Sequence, residues 1–232
     1  MTDKSSGAIN PFAPSFISKS SSDICSKTMT NKVQRFIKFF EDRVENPQAL
    51  HDELSAHAFR LRHLDTKIRK VFIHYSPESY TGKSLLSNVL SWMYPHSSVI
   101  IQSRVYLTLP AGIMNVVMEE GPSKPYDIDL FTTRPIYSLI NGPLFIDRIG
   151  RVPDYKEQKC IVSMNTNDSD LCGLVFAKEP VKSRLVVLKF KPAPSPEEWA
   201  TFLHDCGIYQ ADPNYRQGVD EFATALNQYL RT

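Results

Sequence analysis

The segment that most constrains this chain is Lys70-Val71-Phe72-Ile73-His74-Tyr75-Ser76-Pro77-Glu78-Ser79-Tyr80-Thr81-Gly82-Lys83-Ser84, followed by Leu85, Leu86, Val89 and Leu90 at helical spacing. A β-branched and aromatic run enters a turn, and an amphipathic helix leaves it. Thr-Gly-Lys-Ser sits at the joint. That order matches a phosphate-binding loop. In such a loop, backbone N–H groups and a helix N-terminus wrap an anion, a lysine reaches the outer phosphates and a hydroxyl ligates magnesium. On this reading Pro77, Glu78, Ser79, Tyr80, Thr81, Gly82, Lys83 and Ser84 hold the nucleotide, and Ser84 is also a metal ligand. The pattern G-x-x-x-x-G-K-[ST] asks for glycine at position 77, where this chain has Pro77. Proline offers no N–H and fixes its own φ, so the loop is a variant. Taken alone, the segment reads equally as an ordinary strand–turn–helix.

With 232 residues, 42% of them apolar and 11% aromatic, the chain can fill the core of one domain and still leave a tail. Its net charge of +2 supplies no global basic field, so nucleic-acid contact must come from local clusters. Cys25, Cys160, Cys172 and Cys206 show no C-x-x-C and no histidines at ligand spacing, which points to free thiols in a reducing compartment. The start has no apolar signal region, and no segment approaches the roughly 20 apolar residues of a membrane helix. The expectation is an intracellular protein with no membrane span.

Four stretches follow from the patterning. Residues 1–28 are Ser-rich, with Pro11 and Pro14, and read as a disordered tail that is either a plain leader or a partner-binding arm. Residues 29–66 form a small helical unit: Val33, Phe36, Ile37, Phe40 and Val44 share one face, and Asn46-Pro47 starts a second helix marked by Leu50, Leu54, Ala58 and Leu61. His51, His57 and His63 scatter around that helix and read as surface histidines, not a metal site. In residues 67–204 strands and helices alternate, giving an α/β class with a mostly parallel sheet of the P-loop NTPase kind. Its strands fall near 98–102, 105–107, 113–118 and 160–164, with a last one at Arg184–Phe190; 129–140 reads as helical. Leu144–Asp147 and Tyr155–Lys159 read as the arms of a hairpin around Ile149-Gly150. Residues 205–232 read as a C-terminal helical segment.

A nucleotide loop needs partners beyond the carboxyl ends of neighbouring strands. Glu119 and Glu120 end a strand: Glu119 can hold magnesium through its waters while its neighbour polarises an attacking water, or the pair is an acidic turn. Asn165 ends the next apolar strand, as a holder of that water or of the γ-phosphate, or as a turn former. Arg184 begins another strand, as an arginine finger for a neighbouring subunit or as a surface ion pair. Arg148, Arg151, Lys156 and Lys159 surround a Gly-centred turn and can grip backbone phosphates, or form a solvated basic hairpin. Each signal is weak singly, but their order at successive strand boundaries is specific.

Through these residues the chain resembles the superfamily 3 helicases of small DNA viruses over roughly Val71 to Leu203. The parallels lie with the papillomavirus replication helicase and the helicase domain of parvovirus non-structural proteins. Glu119-Glu120-Gly121 is similar to the parvoviral acidic motif, and Leu139-Ile140-Asn141-Gly142-Pro143-Leu144-Phe145-Ile146-Asp147-Arg148 to the segment leading into the DNA-binding hairpin. Ile161-Val162-Ser163-Met164-Asn165 resembles the motif whose asparagine senses the nucleotide. Val181-Lys182-Ser183-Arg184-Leu185-Val186-Val187-Leu188-Lys189-Phe190 resembles the arginine-finger strand, with Trp199 and Phe202 following. The resemblance implies a modified AAA+ ATPase using ATP and magnesium. It further implies a homo-oligomeric, usually hexameric ring around single-stranded DNA, with Arg184 donated in trans and residues 29–66 as the oligomerisation collar. Its place would be the host nucleus for a DNA-virus protein and otherwise the cytoplasm.

The pattern departs from the family at Pro77 and at the hairpin tip, which lacks the Lys-His pair of the papillomavirus version. No origin-binding or nicking domain precedes the helicase-like part, so such a module would rely on a separate origin-binding or nicking protein. A picornavirus-type RNA helicase of the same fold is an alternative, with RNA as the substrate, as is a catalytically weak nucleotide-binding scaffold that binds nucleic acid. A nucleoside kinase shares the loop but does not predict Asn165 and Arg184 at their boundaries.

Overall fold

In a computed structural model, residues 22–64, 66, 68–101, 112–119, 143–146, 154–157, 160–168 and 184–232 are described. The described elements are, in order, α1 (Ser22–Arg43) and α2 (Pro47–Arg62), then β1 (Val71–Tyr75), α3 (Lys83–Trp92), β2 (Ser98–Ile101) and β3 (Asn115–Met118). A hairpin, β4 (Pro143–Ile146) and β5 (Asp154–Glu157), precedes β6 (Ile161–Thr166) and β7 (Leu185–Lys189), and α4 (Pro196–Cys206) and α5 (Tyr215–Arg231) finish the chain. The α/β expectation holds: β2-β3-β6-β1-β7 form a five-stranded sheet in which every pairing is parallel.

Local chemistry explains most boundaries. Asn46 caps α2 by accepting from the Gln48 N–H at 3.1 Å, and Pro47, which lacks an N–H, takes the first helical position. Ser195 and Glu198 close a reciprocal capping box on α4, and Gly207, at φ 73°, ends that helix in the left-handed region. The β4–β5 hairpin is present, with Pro143 opposite Glu157 and Ile146 opposite Asp154. The helix α1 starts at Ser22, inside the stretch read as tail, and α5 starts at Tyr215, ahead of the expected Val219. The expected elements at 105–107 and 129–140 lie outside the described residues.

The helices among the described residues share one core on one face of the sheet. That face carries Phe72 of β1, Ile161 of β6 and Leu188 of β7. On α1, Val33, Phe36, Phe40 and Val44 are all buried, as are Leu50, Leu54, Ala58 and Leu61 of α2. These apolar stripes are covered within the chain by α4, α5 and β7, so 29–66 is continuous with the main core. Phe36 is the hub, with ring centroids 4.8 Å from Phe40, 5.9 Å from Phe202 and 5.2 Å from Phe222. The α1–α2 connector also closes the β7 edge, where the Glu45 N–H donates to the Lys189 carbonyl and the Lys191 N–H to the Arg43 carbonyl, both at 2.8 Å. That pairing blunts an otherwise open strand.

Truncating the hub removes contacts from α1, α4 and α5 at once. Phe36→Ala is expected to cost about 3–5 kcal/mol of unfolding free energy in a urea titration.

Candidate functional site

Parallel strands place their carboxyl ends on one edge, and ligands bind where neighbouring strands send their chains in opposite directions. Strands β1 and β6 meet this condition: β1 leads through α3 to β2 on one side of the sheet, whereas β6 precedes β7 on the other. Their register sets His74 opposite Asn165 and Tyr75 opposite Thr166. Beyond these ends opens a cleft of about 1090 Å³. Its polar floor includes Ser79 to Ser84, Asn88, Glu119 and Asn165 to Asp168; its wall is Trp199, Leu203, Ile208, Tyr209 and Tyr215.

The loop between β1 and α3 is held open by two left-handed residues, Tyr80 at φ 61° and Gly82 at φ 103°. Gly82 is doubly constrained, because a Cβ there would lie 2.9 Å from Trp199 Cη2 and 3.2 Å from Phe40 Cε1. Trp199 also donates its indole Nε1–H to the Tyr80 carbonyl at 3.2 Å, so α4 grips the loop directly. No side chain caps α3, and its first N–H groups carry the positive end of the helix dipole into the cleft. Lys83 bridges the loop, donating from Nζ to the Glu78 carbonyl at 2.8 Å and the Thr81 hydroxyl at 3.2 Å. Burial lowers its pKa from the ordinary lysine value.

Among the loop residues singled out from the sequence, Ser79, Tyr80, Thr81, Gly82, Lys83 and Ser84 line the cleft; Pro77 and Glu78 do not. Pro77 is exposed, and Glu78 faces the Ala193 N–H at 3.4 Å. Glu119, just past β3, and Asn165, on β6, both reach the cleft. Arg184 does not. Its carbonyl accepts from the Val71 N–H, at the start of β1 and therefore at the opposite edge of the sheet. Glu120, Arg148, Arg151 and Lys159 lie outside the described residues, and Lys156 is placed on β5 by its backbone. Among the described residues, no group of three His, Cys, Asp or Glu can hold a metal ion by itself.

Beneath the floor lies a polar network that the sequence reading missed. Glu53 of α2 and His74 of β1 are both fully buried, with Glu53 Oε2 2.8 Å from His74 Nε2. The Ser163 hydroxyl donates to Glu53 Oε1 at 2.9 Å. His74 Nδ1 lies 3.0 Å from Asn165 Oδ1 and 2.9 Å from the Ser87 hydroxyl, which is itself 2.9 Å from Asn165 Oδ1. The Asn165 carbonyl is thus engaged from two sides, while its Nδ2 is buried without a partner. Burial pushes the Glu53 carboxyl upward, but His74 above all, with His57 and Ser163, holds it below its ordinary value. His57 corrects the expectation of three surface histidines. His51 and His63 are exposed, but His57 is fully buried against the Tyr94 hydroxyl at 2.9 Å, and burial lowers its pKa to about 4. The signal was legible in principle: Glu53 and His57 are polar residues at i, i+4 on the same stripe as Leu50, Leu54 and Leu61.

No protein-family profile matches the sequence, and no curated protein matches it. Solved structures with a similar fold include two apo A forms of the NrS-1 C-terminal region. One superposes with a TM-score of 0.54 at 14% identity, covering 88% of this chain and 45% of that one. The other gives 0.56 at 15%, covering 88% and 44%. The chain spans less than half the length of these structures, and the likeness establishes the arrangement of elements alone.

Two outcomes follow from the site's construction. Gly82→Ala is expected to lower stability by about 1–3 kcal/mol in chemical denaturation, through the indole clash and the left-handed backbone. Because His57 binds its proton less readily folded than unfolded, stability falls as pH drops from 6.5 towards 4. That loss is roughly 3 kcal/mol, and His57→Gln should remove it from a pH series of urea melts.

Proposed function

We propose that the chain is the ATP-hydrolysing module of a ring helicase that moves on single-stranded nucleic acid in genome replication. The observation that carries this reading is the convergence, in one cleft, of the Gly82 loop, Lys83, the uncapped start of α3, Glu119 and the unpartnered Asn165 Nδ2. The polar end of the cleft suits a triphosphate, with helix N–H groups and Lys83 meeting its oxygens. The aromatic wall suits a planar base.

Hydrolysis in such a site is mostly positioning. Water attacks the γ-phosphorus, the bond to the bridging oxygen breaks, ADP leaves, and the water's proton passes to a carboxylate of the Glu119-Glu120 pair. Asn165 donates from Nδ2 to the γ-phosphate or to that water. Ser84 and Glu119, both facing the cleft, supply hard oxygen donors of the kind magnesium takes. Phosphate oxygens and water would complete the coordination around them. When bound, the ion neutralises charge on the β- and γ-phosphates. Arg184 lies at the far edge of the sheet, away from its own cleft; on this reading it would serve a neighbouring subunit in a ring with composite sites. The β4–β5 hairpin, bearing Lys156, is the element that would face the nucleic acid.

A scaffold that kept the fold and lost the chemistry is the second reading, favoured by Pro77 in place of a loop glycine and by Lys83 Nζ already bonding inside the loop. Steady-state ATP hydrolysis with and without single-stranded DNA separates the two. The motor reading expects turnover that DNA stimulates, a loss of about 100-fold or more in Lys83→Ala and in Arg184→Ala, and partial recovery when the two variants are mixed. A wild type no faster than Lys83→Ala, yet still binding DNA, identifies the scaffold.

A further inference from the structure

We propose that Glu53 and His74 are positioning residues for Asn165: the Glu53 carboxylate keeps His74 doubly protonated, and the imidazolium fixes the Asn165 amide with its NH2 end towards the cleft. The proposal rests on the ATP reading above, which gives that NH2 its ligand.

The argument is a count of protons. His74 is fully buried between two acceptors, Glu53 Oε2 at 2.8 Å from Nε2 and Asn165 Oδ1 at 3.0 Å from Nδ1. A neutral imidazole has one N–H and can satisfy only one of them. The Ser87 hydroxyl carries a single proton and has three acceptors to choose from: His74 Nδ1 and Asn165 Oδ1 at 2.9 Å, and the Lys83 carbonyl at 3.1 Å. An imidazolium satisfies both oxygens, and beside an ionised Glu53 it leaves the buried pair neutral overall. The other groups facing His74 do not oppose this charge. From α2, His57 is neutral near pH 7, since burial lowers its pKa to about 4. The Phe190 ring, just past β7, stands edge-on at 5.9 Å. Ser87 of α3 is an uncharged hydroxyl, and Asn165 of β6 an uncharged amide.

The Nδ1 proton therefore decides what Asn165 presents. While the proton is there, Oδ1 is held and Nδ2, which has no partner among the described residues, is left for the ligand. Without it, the amide gains a hydrogen bond by turning end for end, giving its NH2 to the bare nitrogen and aiming its oxygen at the cleft. An oxygen there repels phosphate. A helix on the sheet's face thus sets the polarity of a side chain in the nucleotide site, through a proton that never meets the nucleotide.

The test uses the full chain. Nitrogen-15 NMR at pH 7 without nucleotide is expected to show protons on both ring nitrogens of His74, and Glu53→Gln to lose one. In ATP hydrolysis Glu53→Gln is expected to lower kcat about 10- to 100-fold with KM nearly unchanged. A neutral His74 in the wild type overturns the proposal whatever the ATPase rate. A doubly protonated His74 with wild-type turnover in Glu53→Gln also overturns it. A doubly protonated His74 in a chain that neither binds nor hydrolyses ATP upholds the charged pair and overturns the ATP reading instead. Should Glu53→Gln fail to fold, the wild-type spectrum still decides, and Ser163→Ala, which loosens only Glu53 Oε1, should give a smaller loss confined to kcat.

Discussion

The parallel pairing of β1 with β6 is the constraint on which the rest of this structure depends. It brings His74 level with Asn165 and Tyr75 level with Thr166, so the loop leaving β1 and the polar end of β6 arrive at one edge together. Because β1 sits between β6 and β7, the chain must run outward to β2 and β3 and return. The crevice is created by that divergence. Side-chain alternation then does the sorting: Phe72 and His74 share the face that meets the helices, as do Ser163 and Asn165. A shift of one residue in this register would leave one strand's pair facing the helices and send the other strand's pair to the opposite face.

The same sorting explains what could be read from the sequence. Helix boundaries marked by local chemistry, Asn46-Pro47 above all, were legible, as were the apolar stripes of α1 and α2 and the arms of the β4–β5 hairpin. The loop around Gly82 was legible because its signal is contiguous. Trp199 against Gly82 was not, since 119 residues separate it from its hydrogen-bond partner Tyr80 and nothing in the pattern links them. Glu53, His57 and His74 were missed for a different reason. Each is a polar residue on a buried face, and each is tolerated there only through partners that come from other elements. Sequence periodicity locates the face but not the partner.

The geometry also separates the residues of the proposed machinery within the chain. Lys83, Glu119 and Asn165 gather at the carboxyl edge of the sheet, while Arg184 sits at the amino edge beside Val71. Two edges of one rigid sheet cannot fold onto each other, so Arg184 does not reach the cleft of its own chain. On the motor reading proposed above, such a division would make turnover a property of the assembly and not of the isolated chain. It also fits a cleft whose own walls are furnished by α4 and the start of α5, elements that pack into the core through Phe202 and Phe222.

The position of β1 in the middle of the sheet has a consequence for how the chain comes into being. His74 waits 91 residues for Asn165, and the Phe36 face of α1 waits for Phe202 and Phe222 near the other end. Emerging from a ribosome, α1 and β1 therefore present unpaired apolar surface while most of the sequence is still to be made. Contacts this far apart are slow to close and leave aggregation-prone species exposed in the interval. Truncation from the carboxyl end should be tolerated poorly, because α4 and α5 complete a core that was opened at residue 33. Segments made later are the ones that cover the apolar faces of those made earlier.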